Sequence, residues 1–129
     1  MAAPPKWAQE LMLAALLWGE DNDYHVPPVS LTWHRRNRPY SSGQGGLERI
    51  TINAGSQRTD AKLVLLHEIA HALAGQRGHQ WHTELFWETA WELYRWAKLP
   101  IRYCQKREYS YRKKAAIAYR RSVKSPQAR

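Results

Sequence analysis

Apolar residues recur at helical spacing near the start of the chain. They stand three or four positions apart, which places them on one face of a helix. The stripe comprises Trp7, Leu11, Ala14, Ala15, Leu17 and Trp18. The polar run 19–23, which opens with Gly19, then interrupts the pattern. The pattern therefore predicts an amphipathic helix over residues 6–18.

Two later segments alternate apolar and polar residues with a period of two, which is typical of half-buried strands. The first covers residues 29–36 and the second covers residues 47–53. Between them, residues 41–46 read Ser-Ser-Gly-Gln-Gly-Gly, a composition typical of turns. We expect the two strands to pair as an antiparallel hairpin.

Two longer apolar segments follow, and each has the periodicity of a helix. The first begins at Thr59 or Asp60, since either side chain can cap a helix by accepting from a free backbone N–H group. It is expected to end at Gly75. The second starts at Thr83 and stops before Pro100. Its many aromatic residues predict that it packs on two sides.

Length and composition limit the class of protein. A chain of 129 residues with 43% hydrophobic residues can bury one core but is too short for two. No apolar run approaches the ~20 residues of a membrane span, and the first residues lack the apolar centre of a signal peptide. Cys104 is the single cysteine, which excludes an intramolecular disulfide. We expect a cytoplasmic or virion-associated protein without a membrane partner.

The net charge of +9 is concentrated near the end of the chain. Residues 1–101 contain ten Lys or Arg and ten Asp or Glu, whereas residues 102–129 contain ten and one. We therefore predict a folded domain over 1–101 and a basic, tyrosine-rich tail over 102–129, with a helix at 113–121. Such a tail could bind nucleic acid or an acidic protein, or it could simply be solvated.

The segment His67-Glu68-Ile69-Ala70-His71 carries the clearest chemical signal. Residues four apart on a helix project from one face, so His67 and His71 can hold one zinc ion. Glu68 lies about 100° around the helix, where it can take a proton from a zinc-bound water as a general base. Because the flanking residues are strongly apolar, unpaired histidines there would be costly to bury.

A catalytic zinc site needs a third protein ligand and one open position. The candidates downstream are His79, His82, Glu84, Glu88 and Glu92. Gly75 and Gly78 allow the chain to reverse, which favours His82 at the start of the next helix. His79 remains the main alternative, and Glu88 or Glu92 would serve in a site with a glutamate as third ligand.

The chain resembles the SprT-like zincin-type metallopeptidases over residues 29–97. The resemblance lies in a strand ending at Asn53, the His-Glu-x-x-His helix, and a third histidine four residues before an aromatic, here His82 and Phe86. It implies an α+β fold of the zincin type, with a small antiparallel sheet packed on the active-site helix and flanking helices. It also implies ligation by three histidines and makes 47–53 the candidate edge strand for an extended substrate.

These features predict a zinc metallopeptidase that hydrolyses polypeptides, with His67, His71 and His82 as ligands and Glu68 as general base. One alternative is a nucleic-acid- or protein-binding module that zinc merely stabilises. Another is a structural component of a larger assembly, such as a phage particle. We predict that truncation at about Lys98 separates the two functions: hydrolysis survives, and any salt-sensitive nucleic-acid binding is lost.

Overall fold

The computed structural model describes residues 3–45, 48–75, 82–109 and 113–124. Five helices and three strands occur in this part of the chain. In chain order they are α1 (Lys6–Asp21), β1 (Ser30–Arg35), β2 (Ser42–Gly45), β3 (Arg49–Ala54), α2 (Arg58–Gly75), α3 (Glu84–Trp96), α4 (Ile101–Tyr109) and α5 (Lys113–Lys124). The predicted α+β class is confirmed.

The sheet has the strand order β1-β3-β2 and is mixed. β3 runs parallel to β1, with Trp33 beside Ile52, and antiparallel to β2, with Gly43 beside Ile52. The predicted antiparallel pairing of 29–36 with 47–53 is therefore wrong. Alternation identifies a strand and its buried face but not the direction of its neighbour, and the intervening Ser/Gly segment forms a strand itself.

α2 is the central helix, and the sheet, α1 and α3 all pack against it. Nearly every residue from Leu63 to Gly75 is buried, which explains why this helix is apolar on most of its circumference. The sheet contributes Ile50, Ile52 and Ala54, which alternate along β3 on its inner face. The site-bearing helix therefore lies in the middle of the core, where its position is set by packing on several sides.

α2 begins at Arg58, so neither Thr59 nor Asp60 is the residue that precedes it. Asp60 lies in the first turn and is completely buried. Its carboxylate accepts from the backbone N–H of Ser41 at 2.6 Å and from Arg107 Nε at 2.7 Å. Burial alone would raise the pKa of Asp60, but hydrogen bonds from Arg107, Tyr103 and Ser41 together lower it.

The predicted boundary after residue 101 does not separate the packed domain from a free tail. Cys104, Ala115 and Ala118 of the segment 102–124 are completely buried. α3 lies between α2 and α5, and the indole Nε1 of Trp91 donates to the carbonyl of Ala115 at 2.8 Å. The aromatic residues of α3 thus pack on two sides because α4 and α5 cover the side away from α2.

No helix in the described ranges combines the length and the apolar character that crossing a bilayer requires.

Candidate metal centre

α2 presents His67, Glu68 and His71 to a cleft between this helix, β2 and α4. His67 and Glu68 are 8% and 6% exposed, and His71 is half-buried. Their positions follow from the helical repeat, since residues four apart share a face. Burial of this many polar groups on one helix is costly unless they find partners, so their surroundings decide what the site can do.

His82 comes from the chain just before α3. It precedes Thr83, the N-cap of that helix, whose hydroxyl accepts from the backbone N–H of Phe86 at 3.3 Å. The cap determines where α3 begins and so where His82 lies. Its Nε2 is 3.2 Å from Nε2 of His67 and 3.3 Å from Nε2 of His71.

The convergence of these three nitrogens fits a metal ion. With metal–nitrogen bonds of about 2.0–2.1 Å and tetrahedral angles, ligand nitrogens on zinc lie about 3.3 Å apart. The two separations above match that value, and potential ligand atoms of His67, His71 and His82 all lie within 4.8 Å of one another. The three side chains brought together are those predicted, and they could hold a metal.

Two aromatic residues at the start of α3 hold the imidazoles in place. Phe86 stacks on His71 with ring centroids 4.2 Å apart, and Trp87 stacks on His82 at 5.5 Å. Both aromatic side chains are completely buried. Packed rings restrict the rotation of the imidazoles and keep water from one side of the cluster, which preorganises the nitrogens.

The other ligand candidates are placed differently. Among the described residues, Glu84, Glu88 and Glu92 do not belong to the histidine cluster. The carboxylate of Glu84 instead forms an ion pair with Arg121 on α5. His79 lies outside the described residues.

Glu68 borders the same cleft but is not part of the cluster. Burial raises the pKa of this carboxyl group above its usual value; His67 opposes the effect, and the carboxylate of Glu108 adds to it. A raised pKa makes a carboxylate a better proton acceptor. The environment of Glu68 therefore suits acid–base chemistry.

β2 forms the wall of the cleft opposite α2. The cleft has a volume of about 600 Å³, and residues 41–45 line it together with the three histidines and Glu68. β3 is the central strand, because it pairs with both β1 and β2. The prediction that 47–53 is the substrate-binding edge is therefore wrong. The edge strand that lines the cleft is β2. The sequence did not identify β2 as a strand, because its Ser/Gly composition is typical of a turn.

Gly45 allows β2 to approach α2 closely. A Cβ atom built on Gly45 would lie 2.6 Å from Oε1 of Glu68, 2.9 Å from the backbone oxygen of Glu68 and 3.2 Å from Cβ of His71. The side-chain oxygen could move aside, but the backbone oxygen could move only with the helix. Strand and helix are thus separated by a distance that only glycine permits here.

We expect Gly45→Ala to lower the free energy of unfolding by about 1–3 kcal/mol, because overpacking forces backbone shifts. It should also displace Glu68 and reduce any catalytic activity by more than this loss of stability explains. Ser30→Ala is the matched control, since Ser30 is exposed on β1 of the same sheet and does not line the cleft. Denaturant unfolding and activity measured on both variants check this; equal behaviour of the two would contradict the packing argument.

Two contributions to the site could not be assigned from the motif. Nδ1 of His67 lies 2.7 Å from Oε2 of Glu108 on α4, and the hydroxyl of Tyr94 on α3 donates to the same oxygen. Burial alone would lower the pKa of His67 and raise that of Glu108, but the attraction between the two groups outweighs it. The pKa of His67 is therefore raised and that of Glu108 lowered.

One signal for Glu108 was present in the sequence. It is the single acidic residue among residues 102–129, and it follows Cys104 by four positions, which places the two on one helix face. Cysteine is among the residues most often buried, so the helix face that Cys104 shares with Glu108 was a candidate buried face. The sequence does not show which residue is the partner of Glu108.

Comparison of the chain with protein-family models, with curated proteins and with solved structures found no match.

Proposed function

We propose that this protein is a zinc-dependent peptidase that hydrolyses polypeptides. The observation that carries the proposal is the convergence of His67, His71 and His82 beside Glu68 in one cleft, with the imidazole nitrogens 3.2 and 3.3 Å apart. Three histidine ligands that leave a position open towards a cleft are typical of catalytic zinc, whereas structural zinc is usually closed by four protein ligands.

Each residue has a distinct role in this proposal. His67, His71 and His82 would hold the ion through Nε2. When bound, zinc supplies Lewis acidity that activates water and polarises a carbonyl group. Glu68 accepts a proton from the attacking water on its carboxylate and delivers it to the nitrogen of the departing amine. Hydrolysis then needs no covalent attachment of the substrate to the protein.

The form of the cleft supports an extended polypeptide as substrate. β2 is an edge strand of the described sheet, and an extended peptide can pair with such an edge through main-chain hydrogen bonds. Because Gly43 and Gly45 carry no side chains, β2 packs directly against α2, and a peptide paired with the edge of β2 would lie close to Glu68. Binding along β2 would present a peptide carbonyl to the histidine cluster.

The resemblance to SprT-like metallopeptidases supports the same proposal. Its three histidines were matched from the sequence alone, and they form one cluster with Phe86 packed against all three rings. The geometry thus supplies a physical reason for the spacing of four between His82 and the aromatic residue. Membership of that family remains part of the proposal.

A partner proposal rests on the charge of α4 and α5. Arg102, Lys106, Lys113, Lys114 and Arg120 are exposed there, while the acidic residue of α4, Glu108, is buried against His67. This surface is suited to a polyanion, and we propose nucleic acid as its partner. The salt dependence of binding to an oligonucleotide measures this contact.

The peptidase proposal is tested with an unfolded polypeptide as substrate. We expect the zinc-loaded protein to cleave it, the chelator-treated protein to be inactive, and added zinc to restore cleavage. His82→Ala should lose zinc and activity together, whereas His25→Ala, which changes an exposed histidine away from the cleft, should keep both. Equal cleavage with and without metal would contradict the proposal.

A further inference from the structure

Glu108 is a buried carboxylate that the proposed reaction does not use directly. It is 1% exposed and enters the site from α4, 41 residues after His67 in the chain. Its Oε2 lies 2.7 Å from Nδ1 of His67, on the side of the imidazole ring away from the cluster. Burial of a carboxylate is costly unless it is paired and hydrogen-bonded, and this contact supplies such a partner.

The contact determines how His67 presents its second nitrogen. A carboxylate can only accept, so Nδ1 of His67 must carry the proton and donate to Glu108. The lone pair that a neutral imidazole retains is then on Nε2, the atom 3.2 Å from Nε2 of His82. Glu108 thus favours the tautomer that a metal ligand needs and fixes the plane of the ring.

Tyr94 contacts the same oxygen of Glu108, and its hydroxyl also lies 3.4 Å from Nδ1 of His67. Its side chain is completely buried, and its hydroxyl donates to Oε2 of Glu108. This second donor restricts the rotation of the carboxylate. The imidazole of His67 therefore rests on a carboxylate that is itself held in place.

A separate group of contacts anchors α4 so that Glu108 can reach His67. Arg107 Nη2 donates to the carbonyl of Ser41 at 2.8 Å, and its Nε donates to the buried carboxylate of Asp60 at 2.7 Å. Tyr103 also donates to Asp60. These contacts tie α4 to the first turn of α2 and to the residue before β2. α2 and β2 are the elements that form the two walls of the cleft.

We propose that Glu108 is a positioning residue for the metal centre, acting through His67, and that α4 is consequently part of the site. This inference rests on the proposed zinc function. Carboxylates that accept from a ligating histidine typically strengthen metal binding by 10–100-fold. The segment that charge alone marks as a tail therefore provides a contact on which metal affinity depends.

The experiment compares zinc affinity, measured by competition with a chromogenic chelator, in the full-length wild type, Glu108→Ala and Glu108→Gln. We expect Glu108→Ala to bind zinc about 10–100-fold more weakly. Glu108→Gln should fall between the two, because its amide oxygen can still accept from Nδ1 but carries no charge. Glu10→Gln, at an exposed position on α1, is the matched control and should bind as the wild type does.

A second readout does not require metal. In the metal-free wild type we expect a downfield proton resonance from the hydrogen-bonded Nδ1–H of His67, retained in Glu108→Gln and lost in Glu108→Ala. Circular dichroism shows whether each variant is folded. If Glu108→Ala unfolds, the zinc affinity of Glu108→Gln, which keeps the size of the side chain, tests the positioning role.

The outcomes separate this inference from the proposed function. Wild-type affinity in Glu108→Ala and Glu108→Gln, or a His67 resonance unchanged in Glu108→Ala, would overturn the positioning role. A wild-type protein that shows the resonance but takes up no zinc would instead count against the proposed function, while supporting the orientation of His67 by Glu108.

Discussion

Glu68→Gln is expected to abolish polypeptide hydrolysis while zinc remains bound. The amide has the size of the carboxylate and still fits against β2, but it cannot accept a proton from water. Loss of a general base typically costs about 10²–10⁴-fold in rate. Zinc should be retained, because Glu68 is not a member of the cluster of His67, His71 and His82. Turnover numbers and zinc content of the same preparation give both quantities.

Glu88→Gln is the matched control for this experiment. Glu88 is half-buried on α3 and is not part of the cluster. The same chemical change there should leave zinc content and turnover unaltered. Undiminished turnover in Glu68→Gln would refute the role of Glu68 as general base. Loss of zinc from Glu88→Gln would support the alternative in which a glutamate is the third metal ligand.

Truncation after Lys98 is expected to prevent folding. It would uncover Trp91 and Tyr94, both completely buried, and remove the carbonyl of Ala115 to which Trp91 donates. Burial of 150–250 Å² for each aromatic ring corresponds to roughly 4–6 kcal/mol at about 25 cal/mol per Å². Losses of this size approach the whole stability of a domain, which is about 5–15 kcal/mol.

This result differs from the one expected from charge alone, in which the truncated chain keeps its hydrolytic chemistry. Circular dichroism and denaturant unfolding of the truncated chain provide the measurement. Removal of residues 125–129 is the control, because it leaves α5 as described intact. A truncated chain that unfolds cooperatively and binds zinc like the full chain would show that α4 and α5 are dispensable.

The helical parts of the site could be predicted because their signals are local. A spacing of four places His67 and His71 on one face whatever surrounds the helix. The capping hydroxyl of Thr83 likewise marks the start of α3, and with it the position of His82. These features depend on a few neighbouring residues, so the pattern of the chain is sufficient to identify them.

The remaining features depend on tertiary contacts and could not be predicted. β2 has the composition of a turn, and its place as a strand comes from pairing with β3 and from the approach of Gly45 to α2. The link between His67 and Glu108 spans 41 residues and has no local pattern. Residues 102–129 contain so many Lys and Arg that the sequence did not reveal the buried residues among them, which include Cys104 and Glu108 on α4 and Ala115 on α5.

The coordination of zinc in the purified full-length protein tests the central claim most directly. X-ray absorption at the zinc edge, combined with metal analysis, gives the number and type of ligands per chain. We predict one zinc per chain with three imidazole nitrogens and one oxygen from solvent, and loss of the zinc in His82→Ala. A protein that binds no zinc, or one whose zinc has four protein ligands, would contradict the account.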